Sequence, residues 1–305
     1  MALAKRTSPV TNFTIAINGG APGALVSVDP PTIEADKIGV AIGPDGETQQ
    51  ALGNPNYGDC KCALNPAHSQ PWLDIINSVF DKACVEFESR IDLSNQDYKS
   101  QRAIEMSGCL IKEIGLGKLS AGDGKKLYEI SITFEMEKCT FLKGDDKVIQ
   151  GTLGTKNKNW LCSNFEPVGM PGGIQGESVI DIEAGKMTAK IGKEHVGMFR
   201  YGTKHYTSWE VAGLKTTHSP IAYDAALAYV NKVLADGAIT DEEYMPWSVD
   251  IKDQTMKNVL GTINYTGTAP QKFTWSPQLK GGGDTMSNFS IDWLLQTLRF
   301  IPSWK

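Results

Sequence analysis

The residues able to do chemistry are few, and their spacing matches no reaction well. Cys60 and Cys62 flank Lys61 and would share one face of a strand, because side chains alternate along an extended backbone. Cys109 and Cys139 fall in other segments that read as strands, so a four-thiolate zinc site is one reading of the set. The paired two-residue knuckles of a zinc ribbon are missing, and the other reading is reduced, buried thiols that pack as small apolar side chains. Cys84 and Cys162 complete the six. The four histidines, His68, His195, His205 and His218, form no His-Glu-x-x-His pair. His68 and His218 each precede a helical segment, where a turn or capping role is expected.

Gly115-Leu116-Gly117-Lys118 resembles a phosphate loop only briefly. It lacks the Gly-x-x-x-x-Gly-Lys-Ser/Thr spacing, and no helix pattern follows to lend its N-terminus to an anion. No Gly-x-Ser-x-Gly elbow occurs. Asp241-Glu242-Glu243 reads as a solvated acidic turn. Trp160, Trp247, Trp275, Trp293 and Trp304 suit core packing and subunit contacts, with a carbohydrate-binding surface as their other use. No catalytic, cofactor-binding or metal-ligating residue is assigned, and the expectation is a non-enzymatic protein without a cofactor.

A chain of 305 residues is long enough for two domains, each with its own core. A net charge of −5 excludes a protein that grips phosphates through a basic stripe, although nucleic acid could slide past an acidic wall. No run of ~18 apolar residues is present, so no membrane span is expected. Residues 1–13 carry two basic side chains but no apolar core of a secretory signal.

Strands are predicted at 12–18, 25–28, 57–64, 85–93, 102–114 and 127–139, the last with Tyr128, Ile130, Ile132, Phe134 and Met136 on one face. Residues 41–56 read as a long polar loop. Trp72, Ile75, Ile76, Val79 and Phe80 fall at helical spacing within 72–83, behind Pro71. Gly-, Lys- and Asn-rich residues 142–176 read as a linker. Further strands are predicted at 179–184, 187–191, 200–211, 247–251, 259–265, 271–279 and 288–300. A second helix over 221–234 carries Ala222, Ala226, Tyr229, Val230 and Val233 as its buried stripe. The fold class is therefore mainly β, a β-sandwich or barrel with one flanking helix per domain.

The two halves share an order, which predicts a tandem duplication. Tyr57-Gly58 and Tyr201-Gly202 head the strands before the two helices, and His68-Ser69 and His218-Ser219 precede the helices. Ile104-Glu105-Met106-Ser107-Gly108 resembles Ile263-Asn264-Tyr265-Thr266-Gly267. The expected division is 1–141, a linker and opening segment at 142–175, and a divergent copy at 176–305.

Asn12-Phe13-Thr14-Ile15, Tyr57-Gly58-Asp59-Cys60, Pro71-Trp72-Leu73-Asp74 and the alternating run from Lys126 to Glu135 resemble the tail tube proteins of phages and contractile injection systems. The resemblance implies a structural virion protein that self-assembles into stacked rings, hexameric or pseudo-hexameric, and conducts DNA without binding it specifically. It implies sheath, baseplate or terminator proteins as further partners, and a place in the virion tail after assembly in the host cytoplasm. A tandem pair could complete six domains from three chains, or six chains could carry the second domain outside. The family's long loop implies inter-ring contacts from Asp45, Glu47, Gln49 and Gln50. The matching second-half segment, 192–197, is expected to be much shorter. Alternatives are a baseplate hub or tube adaptor, and a β-sandwich glycan-binding or virion decoration module.

Overall fold

The structure, a computed structural model, describes residues 12–20, 25–42, 47–68, 70–95, 97–149, 160–195, 201–237, 244–275 and 287–303. In the first half lie β1 (Asn12–Ile17), β2 (Leu25–Asp29), β3 (Ile33–Ile42), β4 (Glu47–Tyr57), β5 (Cys60–Leu64), α1 (Gln70–Phe80), β6 (Phe87–Ser94), β7 (Ser100–Gly115), β8 (Lys118–Ser120), β9 (Ile130–Glu135) and β10 (Lys138–Lys143). The second half holds β11 (Phe165–Val168), β12 (Val179–His195), β13 (Tyr201–His218), α2 (Tyr223–Val230), β14 (Met245–Lys252), β15 (Val259–Trp275), β16 (Phe289–Leu294) and β17 (Thr297–Pro302). A π-helical turn, Asn231–Ala235, extends α2.

Helix α1 forms where the apolar stripe predicts it. Trp72, Ile76 and Val79 are fully buried on one face. Left-handed Lys82 (φ 60°) stops the helix, and the Lys82 and Ala83 amides return to the carbonyls of Val79 and Ser78. Strand β9 alternates as its sequence does, with Ile130, Ile132 and Phe134 inward.

Long strand β7 belongs to two sheets. Its first half pairs with β6 and β10, and β6 pairs with β1; its second half pairs with β9, which continues to β5 and β2. The strand changes sheets at Gly108, whose φ of 62° only glycine adopts cheaply. A β-carbon there would also lie 2.6 Å from Cγ of Glu137. Trp72 of α1 fills the angle between the sheets, its ring centroid 5.8 Å from Phe87 of β6 and 6.0 Å from Phe134 of β9.

The second half repeats this plan residue for residue. The pairs Ile91↔Ile104 and Ile114↔Ile132 recur as Val249↔Ile263 and Phe273↔Ile291. Gly267, 159 residues after Gly108, has φ 63° and faces Gln296 as Gly108 faces Glu137. Even the irregularities recur: the bulge at Phe87/Ser89 matches Met245/Trp247, and that at Ile111/Glu113 matches Pro270/Lys272. An extra residue in a strand is a specific feature, and these two recur at matched positions in the two halves.

Two sequence expectations change here. Residues 41–56 are no loop: β3 and β4 form a hairpin that is its own two-stranded sheet. The second half carries a hairpin of the same length, because β12 and β13 continue past their shared sheet. Their bulge at Lys190/Ile191 matches the one at Ala35/Lys37. The sequence hid β4 because its residues are polar (Gln49, Gln50, Asn54, Asn56) and contain Pro55, so no apolar alternation announces a strand. A third correction concerns closure: among the described residues no sheet closes into a barrel.

The halves join edge to edge. Lys186, Met187 and Thr188 of β12 pair with Gly115, Ile114 and Glu113 of β7, and β8 pairs with the start of β12. One path of eight strands results, β2-β5-β9-β7-β12-β13-β16-β15.

Candidate assembly surface

The chemistry-bearing side chains serve the core. Cys60 and Cys62 do share one face of β5, and both are buried. Burial pushes the Cys60 thiol up to about 12 and raises Cys62 and Cys109 as well, so all three stay protonated at neutral pH. Among the described residues no three His, Cys, Asp or Glu side chains are grouped to hold a metal ion. Lys118 pairs with Asp181 at 3.0 Å from strand β8, not from a helix start. Trp160, Trp247 and Trp293 are buried, whereas Trp275 is 41% exposed. Trp304, the side chain of His68 and residues 241–243 lie outside the described residues.

His218 is not a helix cap. Its ring is fully buried and stacks on Phe289, with centroids 5.1 Å apart. The indole Nε1 of Trp293 donates to Thr216 Oγ1 at 2.9 Å, and the same oxygen lies 2.7 Å from His218 Nε2. The Ser178 hydroxyl donates to the Gln175 carbonyl at 2.6 Å and accepts from His218 Nδ1 at 3.2 Å. The Ser178 end of this network sets the Nδ1–H tautomer of a neutral imidazole. In the first half the matching positions of His218, Thr216 and Trp293 are Leu64, Cys62 and Phe134, all apolar. Sequence reasoning missed this network, although the His218-x-Thr216 spacing on one strand face was available to find it.

The exposed features are edges. Among the described residues strand β2 pairs only with β5, and β3 only with β4. At the other end, residues 269–275 of β15 pair with β16 and have no described strand on their outer side. The expected contact residues lie on the first hairpin. Glu47 and Gln49 pair with Ile42 and Val40, Gln50 is exposed and pairs with Gly39, and Asp45 lies outside the described residues. Apolar side chains stand open on the same hairpin: Ile33 is 41% exposed, Ile38 50% and Leu52 79%. Unpaired edges flanked by open apolar side chains are surfaces for association.

The chain is thus a mainly β protein in which β2 and residues 269–275 of β15 have no outer strand partner among the described residues. No protein-family profile matches it, and neither does any curated protein. Solved structures that resemble it are components of contractile injection systems. A chain of the PVC extracellular contractile injection system sheath-tube complex in its extended state is 16% identical with a TM-score of 0.38, over 46% of this chain and 94% of that one. A chain of the anti-feeding prophage baseplate is 13% identical with a TM-score of 0.37, over 43% and 91%. One from the cap that terminates the anti-feeding prophage tube is 14% identical with a TM-score of 0.38, over 46% and 94%.

Proposed function

We propose that this chain is a non-enzymatic building block of a phage-type tail tube, assembling with copies of itself into stacked rings around a conduit. The observation that carries the reading is the run of strands from β2 to β15, whose outer edges, β2 and residues 269–275 of β15, have no further partner strand among the described residues. A sheet built of two like units, open at both ends, gains hydrogen bonds by adding further units until it closes. The net charge of −5 suits a wall along which DNA slides without sticking. The division into two repeats, with the second opening at β11, belongs to this proposal, as do sheath, baseplate and terminator partners and a place in the virion tail.

Glu47 and Gln49, toward the distal end of the first hairpin, make contacts to the next ring, and Asp45, outside the described residues, belongs to the same proposal. Replacing residues 41–48 by Asn-Gly, a turn that fits a two-residue hairpin, shortens the hairpin without touching its base. The shortened protein is expected to keep its ellipticity and ring formation but to lose long polymers in sedimentation velocity. Polymers as long as those of the unaltered chain would remove the stacking role.

A baseplate hub or tube adaptor is the second reading. The two hairpins differ in sequence, with Ile38 and Leu52 where the other has Gly192 and Tyr206. A ring made from this chain would therefore show two alternating kinds of contact to its neighbours.

A further inference from the structure

We infer that the partner of both open edges is a second copy of this chain, joined by a seam that copies the internal one. The inference rests on the ring reading above and specifies its contacts.

The internal seam supplies the template. Met187 of β12 and Ile114 of β7 lie opposite each other and are buried, at 3% and 0% exposure. The repeat places Ile33 at the position of Met187 and Phe273 at that of Ile114. Ile33 is exposed and Phe273 only half-buried. The residues that one seam covers are uncovered at the two ends, which is the pattern of a second seam awaiting its partner.

Electrostatics agree. In the internal seam Glu113 holds Lys186 at 3.2 Å and accepts from the Thr188 hydroxyl at 3.4 Å. At the ends Lys272 replaces Glu113 and Glu34 replaces Thr188, so the copied register sets Lys272 directly across from Glu34. Opposite charges facing across an antiparallel pair favour that register over its slips.

The hairpin base follows the same template. Lys204 is buried and donates to the Gly108 carbonyl at 3.2 Å, while Lys193 pairs with Glu135. Thus the second hairpin already lies on the first unit. Its equivalents on the first hairpin, Gln50 for Lys204 and Leu52 for Tyr206, have nothing described against them within the chain. In the copied seam Gln50 approaches the neighbour's Gly267 corner, so Gln50 contacts the same ring and not the next one. Pro30 and Pro31 lie on the open edge, where the internal seam has Ala184 and Gly185. The missing amide at Pro30 removes one bond that Ala184 makes to Gly117, and disfavours pairing in other registers.

The test uses the full chain in a Cys84→Ser background with Glu34→Cys and Lys272→Cys, both exposed positions. Directly opposite residues of an antiparallel pair fall within disulfide reach. Mild oxidation is expected to link neighbouring chains in a ladder of covalent oligomers. As a second readout, Lys272→Glu should raise the concentration needed for ring formation by roughly tenfold, and adding Glu34→Lys should restore it. Rings that form without the cross-link would overturn this seam and leave the ring reading intact. Absence of both rings and cross-links would overturn the inference together with the reading beneath it.

Discussion

Trp72→Ala is expected to lower the free energy of unfolding by about 3–5 kcal/mol, a large part of the total that holds a domain together. The indole is fully buried where α1 meets both sheets of the first half, against Phe87 and Phe134, which themselves lie 5.4 Å apart. Three elements converge on this one side chain. None of them can move into the space without losing its own strand pairing, so the cavity stays open. Urea denaturation followed by ellipticity reads the effect directly. A loss under about 1 kcal/mol would mean that the first half does not pack around α1 as described.

The second large effect is a dependence on pH that belongs to His218. Burial lowers its pKa from the ordinary 6.5 to about 4 in the folded chain. The unfolded chain therefore binds this proton first as pH falls. The contribution is complete above about pH 6.5, declines as pH drops toward 4, and is flat below that. A shift of this size corresponds to about 3 kcal/mol. Protonation also places an N–H at Nε2, which lies 2.7 Å from Thr216 Oγ1. His218→Leu, which copies Leu64 of the first half, is expected to flatten the unfolding free energy between pH 6.5 and 4 relative to the unaltered chain. Carboxylates titrate in both proteins and cancel in the comparison. Equal slopes would show that the imidazole is not held neutral by its surroundings.

Much of this architecture was legible from residue patterns. Helix α1, strand β9 and the second helix were readable because their buried side chains recur at 3.6 or 2 residues. The likeness of the two corners was readable from Gly108 and Gly267 with their neighbours, since a backbone at φ 62° and 63° favours glycine at both. Strand β4 was not, because both its faces are open in the single chain and nothing selects apolar residues at alternate positions. The length of the β12–β13 hairpin was hidden for a related reason. Lys186 and Lys193 fall outside the strands predicted from sequence, yet both are paired with carboxylates of the first half, Glu113 and Glu135.

The placing of the contact residues shows the same limit. Asp45, Glu47, Gln49 and Gln50 were assigned together because the resemblance implies that the family's long loop reaches the next ring. The hairpin spaces the described ones along its length: Gln50 pairs with Gly39 at the level of Lys204, while Glu47 pairs with Ile42 further toward the tip. Sequence distance along a hairpin is distance from the sheet, so four adjacent residues can serve two different interfaces.

The most direct measurement is negative-stain electron microscopy of the purified chain at several concentrations. The expected result is rings with a central hole, stacking into tubes as concentration rises. Compact single chains at every concentration would contradict it.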